Sequence, residues 1–166
     1  MESYDKGRWQ EVVGRSAEAG CDAIELNFSC PHGHPERGMG AAMGQDPEQV
    51  EEVTRWAVDA CDVPVWAKMT PNITDITKPA AAAMRGGAQG VSAINTILGM
   101  IGINMKNLRP MPTVEGHSTP GGYSYLAVKP IALSMVSELA RWNPDMDIYA
   151  MGGVCLLYTS DAADET

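Results

Sequence analysis

The segment ELNFSCPHGHPERGMG, Glu25 to Gly40, decides how the rest of the chain reads. It opens at the end of an apolar run, Ala23-Ile24-Glu25-Leu26, and breaks that run at Asn27, Ser29 and Cys30. The Gly, Pro and charge that follow have no hydrophobic period, so they predict a loop rather than a packed element. A strand that hands polar and reactive side chains to a loop has the pattern of a functional site, since loops on rigid scaffolds carry chemistry.

Working outward, helices and strands alternate. Lys6 to about Ser16 predicts a helix with Trp9, Val12 and Val13 on one face and Gly20 as its stop. Asp22 to Leu26 is the first strand. Asp46-Pro47-Glu48-Gln49 predicts a helix opening, with Asp as cap, Pro in the first turn and Gln three residues on; this helix runs to about Ala60. Val63 to Lys68 is the second strand. Thr74-Asp75 caps a helix through Met84, closed by Gly86-Gly87, and Gly90 to Ile94 is the third strand. Ile97 to Thr119 predicts a second long loop. Lys129 to about Arg141 is the last helix, and Asp147 to Ala150 the fourth strand, ending in Gly152-Gly153.

Strands alternating with helices imply right-handed crossovers and a parallel sheet. The strands read as too apolar to have a wet face. No G-x-G-x-x-G turn stands at any strand–helix junction, which disfavours a doubly wound nucleotide fold. Every strand instead ends in chemistry: Asn27 to Cys30, Lys68-Met69-Thr70, Asn95-Thr96, and Met151-Gly152-Gly153. That distribution predicts an α/β fold, part of a (β/α)8 TIM barrel with about four parallel strands and flanking helices.

The 166 residues suffice for one domain, and 45% hydrophobic with 20% charged content is that of a soluble globular protein. A net charge of −9 argues against nucleic acid. No apolar run reaches the ~18 residues of a membrane span, and no basic-then-apolar stretch opens the chain. Cys21, Cys30, Cys61 and Cys155 lack metal or redox spacing, so the expected compartment is the reducing cytoplasm. The last twelve residues, CLLYTSDAADET, do not continue the preceding pattern and resemble the read-through of a sequencing adapter. They hold three carboxylates (Asp161, Asp164, Glu165) and are set apart as a non-native tail, leaving residues 1–154 as the barrel domain.

The strand-end groups suggest a site. Asn27 and Asn95 each offer an acceptor and two donors, the complement of a flat imide edge; each would also serve as a backbone cap or turn. Lys68 is a cation among apolar strands, suited to an anionic or electron-rich group, and equally able to snorkel to solvent. Gly152-Gly153 would let backbone amides approach an anion. Gly121-Gly122 also reads as a plain turn. A thiol of reference pKa ~8.5 at Cys30 is protonated at neutral pH and able to donate. Cys30, His32 and His34 alternate in a Pro-Gly loop without a metal site's usual spacing, so no metal is expected.

Taken together, ELNFSCPHG, ERGMG, GQDPE, AKMTPNITDI, SAINT, GGYSYLAVKPIAL and AMGGV resemble the flavin domain of dihydropyrimidine dehydrogenases, in order and separation, from about Glu2 to Val154. The bacterial NAD-dependent catalytic subunit is the nearest form, within a superfamily shared with dihydroorotate dehydrogenases. The resemblance implies an FMN-binding barrel that reduces uracil or thymine to the 5,6-dihydro form. It implies Cys30 as general acid protonating C5, hydride from FMN arriving at C6, and pyrimidine contacts from Asn27, Ser29, Asn95 and Thr96. Lys68, Gly122, Met151, Gly152 and Gly153 would contact FMN. Tyr125 stands where relatives usually carry Gly, and Met151 where some carry Thr. Iron–sulfur clusters and NAD(P)H or FAD sites would lie in further regions or in an electron-delivering partner subunit. Two other readings are dihydroorotate oxidation, with Cys30 as base, and a barrel fragment inactive as it stands.

Overall fold

The computed structural model describes residues 4–31, 38–111, 113–118 and 120–154. The helices are α1 (Lys6–Glu18), α2 (Ala41–Gly44), α3 (Pro47–Val58), α4 (Thr77–Arg85) and α5 (Lys129–Trp142). The strands are β1 (Ile24–Asn27), β2 (Val65–Lys68), β3 (Gly90–Ala93), β4 (Ile97–Gly99), β5 (Gly102–Asn104), β6 (Arg109–Met111), β7 (Thr113–Val114), β8 (His117–Ser118), β9 (Gly121–Tyr123) and β10 (Asp147–Ala150). His32, His34 and the tail from Cys155 onward lie outside the described residues.

Local chemistry sets the helix starts. The Asp5 carboxylate accepts from the Arg8 amide at 3.1 Å and opens α1. Asp46 Oδ1 accepts from the amides of Glu48 and Gln49, and Pro47 occupies the position whose missing N–H costs nothing. Gln49 reaches back to Asp46 Oδ2 at 2.8 Å, so it braces the capping carboxylate itself. Asp75 accepts from both the amide and the hydroxyl of Thr77 at the head of α4, which holds its carboxyl below the ordinary aspartate range.

The main sheet runs in the order β1-β2-β3-β10, all parallel. Alternate residues face opposite ways. Leu26, Val65, Ala67, Val91 and Ala93 are buried under the helices with Trp9, Val13, Val50, Val53, Ala57 and Leu139. Phe28 is fully buried just beyond β1 and stacks on Trp9 with ring centroids 6.4 Å apart. Small residues on α4 (Ala80, Ala82, Ala83) let it pack closely on α3. Across that pair Glu51 binds both Arg55 and Arg85, whose guanidinium groups depress its carboxyl.

Two expectations need correction. The strands do have a wet face: Glu25, Asn27, Trp66, Lys68 and Tyr149 alternate with the buried set and remain partly or largely exposed. Strands four residues long provide only two inward positions each, so a single Glu or Lys makes that face polar. Residues 97–119 are also not a plain loop. They contribute five short strands, which with β9 form three antiparallel ribbons, β4 with β9, β5 with β6, and β7 with β8. Asx turns organise this excursion, with Asn104 accepting from the Lys106 amide and Asn107 from the Arg109 amide. Ribbons of two or three residues are too short to show a period in sequence. Among the described residues no helix is long and apolar enough to cross a membrane.

Candidate active site

The parallel sheet delivers the candidate side chains at the carboxyl ends of its strands. Asn27 closes β1, Lys68 closes β2 directly opposite it, and Ser92 lies opposite Lys68 on β3. Beyond β3, the Asn95 amide reaches back over the sheet and donates to Asn27 Oδ1 at 2.9 Å. The same oxygen accepts from the Ser29 amide at 3.0 Å. Asn95 Oδ1 accepts from the Thr96 amide at 2.8 Å, which leaves the two carboxamides fixed against each other.

A cavity of about 200 Å³ opens beside this pair, and Lys68, Asn95, Thr96, Met151 and Gly152 all line it. Ile94 and Val128 give it an apolar wall, and Tyr123 and Ser124 come from the ribbon end. Five of the ten residues expected at the site thus meet at one hollow, from three strands. The others stand apart in instructive ways. Asn27 touches the group through Asn95. Gly122 packs directly behind Thr96, whose Cβ would lie 2.8 Å from any Cβ added there, so glycine lets β9 close on that wall. Gly153 has φ +77 and lies against the start of α5, where an added Cβ would meet the Lys129 backbone nitrogen at 3.0 Å.

Ser29 is buried, and its hydroxyl donates to Thr70 Oγ1 at 2.8 Å, away from the cavity. Cys30 is half-buried and follows three residues after Asn27; its carbonyl accepts from the Ala41 amide at 3.2 Å, which ties the far side of the loop to its start. Among the described residues no three His, Cys, Asp or Glu side chains cluster as metal ligands.

Asn72 is a residue that sequence reasoning passed over. Its Nδ2 donates to Thr70 Oγ1 and to the Thr96 carbonyl, both at 3.2 Å, and its Oδ1 accepts from the Leu98 amide at 2.9 Å. Gln45 donates to its carbonyl. It therefore binds the ends of β2 and β3 to the first ribbon. An Asn after Pro71 carries no signal beyond that of a turn, which is why the position was silent. Glu25 was also missed, although a carboxylate inside an apolar strand was a readable sign.

A match to the family model described as "Dihydroorotate dehydrogenase" covers residues 10–165. The chain is 53% identical over 169 aligned positions to the chloroplastic dihydropyrimidine dehydrogenase (NADP(+)) of Arabidopsis thaliana, covering 99% of this chain and 39% of that protein. It is 41% identical to the NAD-dependent dihydropyrimidine dehydrogenase subunit PreA of Escherichia coli K12, covering 95% and 38%. It is 47% identical to the catalytic subunit of dihydroorotate dehydrogenase B (NAD(+)) of Pyrococcus horikoshii, covering 86% and 44%. The chain thus spans about two fifths of the length of the curated relatives it matches. Among solved structures, a ligand-free DHODH of Eimeria tenella superposes with a TM-score of 0.65 at 20% identity, covering 90% of this chain and 44% of that one. The four parallel strands with their helices are accordingly an arc of a (β/α)8 barrel.

Proposed function

Because the chain belongs to the dihydroorotate dehydrogenase family, we propose that it forms the substrate-facing part of a flavin-dependent oxidoreductase that reduces uracil or thymine to the 5,6-dihydropyrimidine. The observation that carries this reading is the cavity where Lys68, Asn95, Thr96, Met151 and Gly152 meet beside the Asn27–Asn95 pair. The names of the plant and bacterial relatives support the pyrimidine substrate.

The residues present fit FMN. Gly152 and Gly153 have φ of +122 and +77, and the space around them excludes a side chain, so their backbone can face a phosphate next to the N-terminus of α5. Lys68 would supply a donor to the ring system, and Ile94 and Val128 an apolar wall. When bound, FMN would supply the hydride that reaches C6 of the pyrimidine.

This chain's own residues do the rest in this reading. Asn27 and Asn95 hold the imide edge, and their mutual bond fixes which oxygen and which amide each presents. Thr96 closes one side of the hollow. The Cys30 thiol donates its proton to C5, which with the hydride at C6 completes reduction of the C5–C6 double bond. Ser29 acts through its backbone and its bond to Thr70, holding the strand end in place. Electrons would arrive from a flavin or iron–sulfur partner; that the bacterial relative is named a subunit supports such an assembly. Free thiols at Cys21, Cys30 and Cys61 support a reducing, cytoplasmic setting. We keep residues 155–166 outside the flavin-binding unit.

The test is Cys30→Ala with this segment in a complete relative. FMN content is expected to be unchanged and uracil reduction to fall by roughly 10² or more. Undiminished turnover would overturn the role of Cys30, and dihydroorotate oxidation without uracil reduction would overturn the substrate.

A further inference from the structure

The wet face of the sheet carries carboxylates that this chemistry does not use, and Glu25 is the one that reaches the site lysine. Glu25 Oε1 lies 3.2 Å from Lys68 Nζ, and Glu25 Oε2 accepts a hydrogen bond from Ser92 Oγ at 2.6 Å. The two partners stand on β2 and β3, so a single side chain from β1 spans three strands. The contact is diagonal. Glu25 is in register with Trp66, whereas Lys68 and Ser92 lie one inward step nearer the carboxyl ends.

That diagonal places the lysine at a boundary. Lys68 lines the upper cavity with Asn95 and Met151. Glu25 and Ser92 line a separate hollow of about 230 Å³ below it, walled by Trp66 and Tyr149. The ammonium is thus held from beneath while its other side meets the site. With side chains 25% and 41% exposed, the pair adds little to stability. What it adds is geometry, because a lysine stem is long and freely rotating unless its head is tethered.

We propose that Glu25 is a positioning residue: it fixes the Lys68 ammonium at the floor of the active-site cavity before ligand binds, and Ser92 holds the carboxylate's second oxygen so that it cannot swing away. The tether also offsets the lysine charge, so the site presents a directed donor rather than a loose cation. This inference rests on the reading of Lys68 as a flavin contact.

The experiment uses the 166-residue chain, FMN as titrant and the side-chain ¹⁵N–¹H signals of its lysines. Glu25→Gln retains size and an acceptor for Ser92 but removes the charge. The Lys68 ammonium signal, assigned by its loss in Lys68→Met, is expected in the parent chain and absent in Glu25→Gln. The FMN dissociation constant is expected to rise about tenfold in Glu25→Gln, the scale of one charge-assisted hydrogen bond. In a Lys68→Met background the same Glu25→Gln change is expected to do nothing further. A Lys68 signal that persists in Glu25→Gln, or an equal loss of FMN affinity in both backgrounds, would overturn the proposal. If Lys68→Met leaves FMN binding unchanged, the flavin reading of Lys68 fails instead; if the chain takes up no FMN, the ammonium signal alone decides whether the tether exists.

Discussion

Leu26 and Asn27 are adjacent in β1, yet they serve different ends. Leu26 points under the helices and is 2% exposed, in a layer with Ala67 and Val91 that excludes water. Asn27 points the other way, into a row with Lys68 and Ser92 where hydrogen bonds and charge decide the geometry. The two faces share every backbone bond of the same strands. The helix face makes the arc cohere; the opposite face is free to be polar because it contributes little to that cohesion.

This contrast can be broken by substitution. Phe28→Ala removes a fully buried ring from the helix side and is expected to cost about 3–5 kcal/mol in urea unfolding. Asn27→Ala, one residue earlier and exposed, is expected to cost about 1 kcal/mol or less, the scale of its hydrogen bonds. Equal costs would mean that both faces hold the fold.

A smaller effect sharpens the comparison at the rim. Tyr125 is 68% exposed and has φ +76 with ψ −168, a region that glycine enters readily and other residues enter under strain. Tyr125→Gly is expected to stabilise the chain by about 1 kcal/mol net, strain relief outweighing the entropy of a new glycine. A loss of stability would show that the tyrosine ring has a packing role.

The smallest effect concerns the helix surface. Arg85 and Arg55 hold the Glu51 carboxyl below the ordinary glutamate range, so the folded chain binds fewer protons here than the unfolded chain does. Stability from this group is present above the unfolded value and is lost as pH falls through the folded one. Urea midpoints followed from about pH 6 to pH 3 are expected to fall less steeply in Glu51→Gln than in the parent chain. Parallel curves would remove Glu51 from the acid response.

The sequence made the helix side legible and left much of the other side unread. The α3 start at Asp46-Pro47 and β10 at Asp147–Ala150 fall where the pattern put them, because caps and apolar runs are local signals. The strand-end residues could be named because each interrupts an apolar run. How they meet could not, since the Asn27–Asn95 bond joins positions 68 residues apart. Asn72 reads locally as a turn, and Glu25 shows as a lone carboxylate in an apolar strand; what neither reveals in sequence is its partners, which lie far along the chain. The ribbons of residues 97–123 were missed because two- and three-residue strands leave no period.

The sheet order leaves β1 and β10 as its two margins among the described residues. A margin of a parallel sheet is a rule for whatever is joined to it. A grafted strand that continues the arc would have to run in the same direction and present every second residue in phase with Glu25 and Asn27 on one side, or with Tyr149 on the other. A slip of a single residue would turn greasy side chains toward the polar hollow and ionic ones beneath the helices. Anyone building chimeras from this segment therefore inherits its phase along with its residues.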